Sequence, residues 1–143
     1  MAITSAVCNS FKQEILEAAH NFTASTGDTF NLALYDSDAT LNKSTTAYTT
    51  SEELATTGGY TAKGKALTSV TPVLDSDTAV CDFANISWTS ASFTARGCLI
   101  FNDDNSDTSV CAIDFGGDKT VTSGTFTVEF PAAAASTAII QIA

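Results

Sequence analysis

The spacing of hydrophobic positions changes once, early in the chain. Phe11, Ile15, Ala18, Ala19 and Phe22 recur at a helical period, while Lys12, Gln13, Glu14, Glu17 and Asn21 fall on the other side. This pattern predicts one amphipathic helix over 11–22, opened by a capping box of Ser10 and Gln13. From Thr29 onward the period is two, beginning with Phe30, Leu32 and Leu34 against Asn31 and Ala33. Further strands are predicted near Lys65–Leu74, Ala79–Phe83, Ser92–Asn102, Thr108–Phe115, Gly124–Phe130 and Ala138–Ile142. In the clearest of them Phe126, Val128 and Phe130 point inward while Thr127 and Glu129 point out, as in an antiparallel sheet with one wet face. Pro131–Ala135 directly follows that strand and precedes the β-branched pair Ile139-Ile140, so it reads as a tight linker and not as a helix.

Asp36–Thr57 interrupts the strands with a stretch rich in Thr, Ser and Asp that carries few large apolar residues. It reads as an exposed loop or arm. Seven or eight strands and one helix in 143 residues predict a single domain, 1–143, large enough to bury one core. The expected fold is all-β: an antiparallel, jelly-roll-like β-sandwich with an N-terminal arm and helix over 1–22. Ser and Thr make up roughly a quarter of the chain, which agrees with a β-rich protein showing hydroxyl faces to water.

Charge narrows the choice of partners. Six basic residues against sixteen acidic ones leave a net charge of −10, which repels a nucleic-acid backbone and an anionic membrane. No apolar run reaches membrane-spanning length, and Met1–Val7 lacks the basic start and apolar stretch of a secretion signal. The chain is therefore expected to fold in cytosol with its four cysteines as thiols.

Candidate chemistry is sparse. The single histidine, His20, lies at the polar edge of the predicted helix and reads as a solvated residue, not a catalytic base or metal ligand. In Asp103-Asp104-Asn105-Ser106-Asp107 the residues Asp103, Asn105 and Asp107 alternate as in a calcium loop, with Asp114 at the twelfth position. Thr108, however, stands where such a loop needs glycine, and the flanks read as strands, so a polar hairpin turn is expected. Centring that turn on Asp104-Asn105 places Cys98 opposite Cys111 and Leu99 opposite Val110, with both strand faces apolar. Asp36, Asp38, Asp75 and Asp77 sit in Asp-Ser-Asp turns, where Asp bonds its own backbone, so they and Asp82 are not read as paired catalytic acids. Tyr60, Trp88 and Phe93 are expected in the core and not on a sugar-stacking face. The residues thus indicate no enzyme, no cofactor and no metal.

Several segments carry a likeness to a known family. They include Ser10–Leu16, Asp28–Tyr35, Ala47–Thr50, Gly59–Leu67, Ser92–Phe101, Ile113–Lys119 and Phe130–Ala135, and together they span nearly the whole chain. In this order they resemble recurrent segments of small tailed-bacteriophage structural proteins of the capsid decoration, or cement, type. The resemblance implies a virion component on the outer capsid surface, made in the host cytoplasm, that clamps neighbouring major capsid subunits. Its implied partners are the major capsid protein and itself, as a homodimer or homotrimer, with no nucleic acid and no membrane. The segments free to reach a partner are Met1–Asn9 and the 36–57 arm, so Ile3, Val7, Leu41, Tyr48 and Leu54 are the expected interface residues. The alternatives are another virion part, such as a tail or host-recognition module, or a carbohydrate-binding β-sandwich.

Overall fold

A computed structural model describes residues 2–143; Met1, the first residue of the expected N-terminal arm, lies outside the described residues. The elements follow in the order β1 (Ala6–Val7), α1 (Asn9–Leu16), β2 (Phe30–Tyr35), β3 (Lys65–Ala66), β4 (Ser69–Asp75), β5 (Thr78–Phe83), β6 (Ile86–Asn102), β7 (Thr108–Val128) and β8 (Ile140–Ile142). Two antiparallel sheets result, ordered β1-β7-β6-β2-β3 and β4-β5-β8. The chain is an all-β sandwich with one short helix, as the period-two pattern predicts.

The larger sheet is covered on both faces. Leu32, Leu34, Cys98 and Ile100 look toward α1 and the smaller sheet, where Phe11, Cys81, Phe83 and Ile140 join the same core. Ala33, Tyr35, Leu99, Phe101 and Ala112 form a second core on the opposite side. Residues Cys98–Phe101 are consequently buried without a break, the signature of a strand packed on both faces.

What covers that second face is the segment expected to be an exposed arm. Residues 36–57 lie across the sheet as a strap, with Ala39 and Leu41 in the core and Tyr48 packed on Phe101 at a centroid distance of 4.9 Å. The strap is pinned by its backbone: Tyr48 N donates to Asp107 O at 2.9 Å, Ser109 N to Thr46 O at 3.0 Å and Leu54 N to Leu34 O at 3.0 Å. The N-terminal segment is fixed too, since Ile3 bridges to Leu41 and β1 pairs with β7. A strap with few apolar residues orders itself because its polar backbone completes hydrogen bonds with the sheet, and three well-placed side chains fill the remaining space.

Other boundaries move for local reasons. The run expected as one strand over Lys65–Leu74 divides at Leu67-Thr68, where the chain crosses from the larger sheet to the smaller. The strands expected over Thr108–Phe115 and Gly124–Phe130 are one continuous β7, because Gly116-Gly117 lies in a bulge between the pairs Gly97↔Asp114 and Ala95↔Lys119. Gly116 has φ +79° there, and Arg96 spans the bulge with Nε 2.9 Å from Asp114 Oδ1.

The helix is shorter than its apolar stripe. It begins at Asn9, so Ser10 is inside it and the expected capping box is not formed; Cys8 stands at the N-cap without a side-chain bond. It ends at Leu16, where Ala18 N donates to Ile15 O and Ala19 N to Glu14 O while Ala18 takes φ +58°. That is a Schellman ending with alanine in the left-handed position that glycine normally fills. Ala18 and Ala19 therefore leave the stripe, although Phe22 still reaches the core, stacked on Phe30 at 4.3 Å.

Candidate interaction surface

The ending of α1 turns His20 inward. Contrary to the expectation of a solvated histidine, its side chain is fully buried, with Nε2 2.6 Å from Glu14 Oε2 and Nδ1 3.0 Å from Asn102 Nδ2. The Asn102 amide also donates to Asp28 Oδ2 at 2.8 Å and accepts from Asp104 N at 3.1 Å, which fixes which end of it faces the ring. His20 Nδ1 must then accept, and Nε2 carries the proton given to Glu14. Both ring nitrogens are occupied, so the group ties α1 to the β6–β7 turn and has no nitrogen left for a reacting group.

The acidic turn between β6 and β7 is likewise consumed by the protein. Lys63 Nζ is 2.7 Å from Asp103 and 3.0 Å from Asp107, and Thr29 N donates to Asp104 Oδ2 at 2.7 Å. Asp36 accepts from Asp38 N, the local backbone bonding expected of a turn acid, whereas Asp75 accepts from Ala135 N, far along the chain, and so ties the β4 end to the linker before β8. Asp36, Asp38 and Glu52 bring carboxylate oxygens within 4.8 Å of one another on the exposed side of the strap.

All four cysteines are buried free thiols of the same core. The expected facing of Cys98 and Cys111 is not formed: Cys98 pairs with Ile113, Cys111 with Ile100 and Leu99 with Ala112. A bulge between Ile100 and Phe101, and a turn holding Ser106 and Asp107 at positive φ, shift the register by two residues. Burial pushes the Cys81 and Cys111 thiols up to about 12 and raises Cys8 and Cys98 as well, which keeps them protonated and unreactive in the folded state. Tyr60 and Trp88 are buried and Phe93 is half-buried against them, so these rings form core and not a sugar platform.

Asp82 is a buried carboxyl on β5, its Oδ1 accepting from Phe83 N at 2.8 Å. Burial raises its pKa above the ordinary 3.8, outweighing the lowering effect of that hydrogen bond. The folded chain then keeps a proton that the unfolded chain releases, so this group removes stability as pH rises from about 3.8 through the raised value. Asp82→Asn is expected to raise the melting temperature near pH ~7, with the advantage shrinking as pH falls toward ~4. A melting temperature at neutral pH equal to or below that of the parent protein would refute this assignment.

Of the expected interface residues, Ile3 and Leu41 are in the core, the latter only 1% exposed, while Val7, Tyr48 and Leu54 are half-buried against it. The apolar side chains offered to solvent lie elsewhere. Leu74 is 74% exposed and Ile142 56%, and the register Leu74↔Ala79↔Ile142 sets them in one row across β4, β5 and β8. Directly paired residues share a face, and along β5 the faces alternate, so the row lies on the same side as Cys81 and Phe83, which point into the core. Beside it a small apolar groove of about 120 Å³ opens between Phe11, Ile15, Pro72 and Ile140. Val70 and Val73 on β4 and Leu16 at the end of α1 are exposed as well, Leu16 at 88%. A second apolar groove, about 480 Å³, runs along β7 between Phe115, Phe126, Phe130 and Ile139, with Lys119 and Glu129 among its lining residues.

Sequence reasoning missed this row because it placed Leu74 and Ile142 at the ends of predicted strands and assigned neither residue a face. Leu74 and Ile142 lie near the ends of β4 and β8, at the exposed margin of the three-stranded sheet. Comparisons of the chain with protein-family models, with curated proteins and with solved structures returned no match.

Proposed function

We propose that this chain is a non-catalytic structural module that docks on a protein shell, and specifically a decoration protein of a tailed-phage capsid, with the major capsid protein as its partner. The observation that carries this reading is the exposed aliphatic row Leu74–Ala79–Ile142 on a body of net charge −10. Aliphatic side chains held in water at the end of a sheet cost solvation unless a partner covers them. The strap and the N-terminal segment, both hydrogen-bonded to the larger sheet, make the rest of the molecule a fixed body on which such a contact is preorganised.

The segment resemblance points the same way, toward the outer surface of a virion assembled from components made in the host cytoplasm. The inward engagement of His20 and of the turn carboxylates supports a role without turnover. Closed dimers or trimers seated on local symmetry axes of the shell belong to the same proposal.

The test is the copy number of this chain in purified virions, measured by quantitative mass spectrometry against the major capsid protein. Numbers comparable to the shell subunits are expected. A handful per particle would assign it to a tail or host-recognition assembly instead, and absence from particles would reject a virion role.

A further inference from the structure

We propose that the groove along β7 is a self-association site, in which a second copy of this chain, related by a two-fold axis, sets its Glu129 against Lys119 and its Lys119 against Glu129. The proposal names the surface of the dimer allowed by the assembly reading above, and that surface is separate from the row Leu74–Ala79–Ile142.

A bend in β7 makes the groove. The bulge at Gly116-Gly117 and a second shift of register between Val121 and Gly124, where Ser123 takes φ +47°, turn the strand sharply. Phe115 and Phe126 would stand about 35 Å apart along a straight strand. Their ring centroids are 6.1 Å apart. The groove of about 480 Å³ in this bend is walled by these two rings, Phe130 and Ile139, all of them only partly buried. β1 pairs with β7 only at Cys111 and Ala112, so no strand covers the edge of β7 beyond them. The two shifts of register break the run of edge donors and acceptors that an added strand needs, which leaves the contact to side chains.

Charge selects the occupant. Lys119 and Glu129 both line the groove. Lys12, Lys63, Lys65 and Arg96 are bonded within the chain, to Asn9, to Asp103 and Asp107, to Ser87 and to Asp114. Neither Lys119 nor Glu129 takes part in an ion pair among the described residues. One cation and one anion beside a single apolar groove are self-complementary. A two-fold axis joins the unlike charges twice, whereas a wholly acidic or wholly basic partner meets one like charge. Pro131, at the margin of the groove, opens the exposed segment Pro131–Ala133, a small apolar knob for the groove of the other copy. The net charge of −10 on each copy opposes association and the surface is small, so a weak dimer is expected, with a dissociation constant of about 0.1 mM. Neighbouring seats on a shell supply local concentrations in that range.

The test is sedimentation equilibrium of the purified chain at about 0.05 M salt, where surface charges are weakly screened. Lys119→Glu and Glu129→Lys are each expected to weaken the dimer about tenfold, because two pairs per dimer turn from attraction to repulsion. The Lys119→Glu/Glu129→Lys double variant is expected to restore it. General repulsion between acidic bodies predicts a different pattern, since Glu129→Lys makes each copy less negative and would tighten the dimer. Both side chains are exposed, so all three variants should melt as the parent does. A parent chain still monomeric at about 1 mM would overturn the proposal. So would a Glu129→Lys dimer as tight as the parent or tighter, or a double variant no tighter than the single ones. Virion attachment by a chain that stays monomeric in solution would sink the dimer and leave the shell-binding function standing. The charge-swap pattern in a chain absent from particles would support this surface and remove the virion as its setting.

Discussion

Gly64→Ala is expected to abolish or severely weaken folding, by more than about 3 kcal/mol and about 10 °C in melting temperature. Two costs combine. Gly64 sits at φ +71°, where an L side chain is strained, and an added Cβ would lie 1.8 Å from Leu32 O and 2.9 Å from Ala33 Cα. Those are backbone atoms of β2, hydrogen-bonded between β6 and β3 in the larger sheet, so they cannot yield as a flexible side chain could. The glycines of the β7 bulge separate the two costs. Gly116→Ala keeps only the conformational strain, since it has φ +79° and nothing within 4 Å, and should lose about 1 kcal/mol. Gly117→Ala has neither cost and should be close to neutral. Thermal melts of the three variants check the ordering; a Gly64→Ala protein as stable as Gly117→Ala would mean that the Gly64 turn does not press on β2.

Glu53→Ala is expected to cost about 3 kcal/mol, because one carboxylate anchors the strap to the sheet. Its Oε1 accepts from Tyr60 Oη at 2.7 Å and from Lys63 N at 2.6 Å, and its Oε2 accepts from Tyr48 Oη at 2.5 Å. Tyr60 Oη in turn accepts from Leu34 N at 2.9 Å, which extends the network to the centre of β2. Alanine leaves three donors without their acceptor around a buried tyrosine, and a charged acceptor is worth more than a neutral one. Glu53→Gln keeps an oxygen for Tyr60 and Lys63, and the Tyr48 hydroxyl can rotate to accept from the new amide, so about 1 kcal/mol is expected. Denaturant melts measure both, and hydrogen exchange should show the strap amides of Tyr48 and Leu54 opening first in the alanine variant. Equal stability of all three proteins would show that the strap is held by its apolar residues alone.

Much of the architecture was legible in the sequence where side-chain periodicity and strand geometry coincide. Phe30, Leu32 and Leu34 alternate in sequence and share the inner face of β2, and Phe126 and Val128 do the same on β7. The aromatic residues Tyr60, Trp88 and Phe93 go inside as large apolar rings in a sandwich should. The strap misled because composition counts apolar residues and not the backbone hydrogen bonds that order them. His20 misled because its wheel position assumed a helix to Phe22, and no glycine at position 18 announced the earlier ending.

The sequence by itself determined the all-β class, the single helix near the start, the polar turns and the acidic surface, because each follows from residue type and local spacing. Tertiary structure decided what depends on distant groups meeting. The strap folds over β2, β6 and β7 since its backbone finds partners there, and the Cys98 and Cys111 register is set by a bulge and two left-handed turn residues that no period encodes. The exposed row Leu74–Ala79–Ile142 was decided in the same way, by a register that sets Leu74 and Ile142 side by side at the margin of the small sheet. Whether an apolar strand residue becomes core or stays exposed depends on what packs against it, and that is a property of the packed chain.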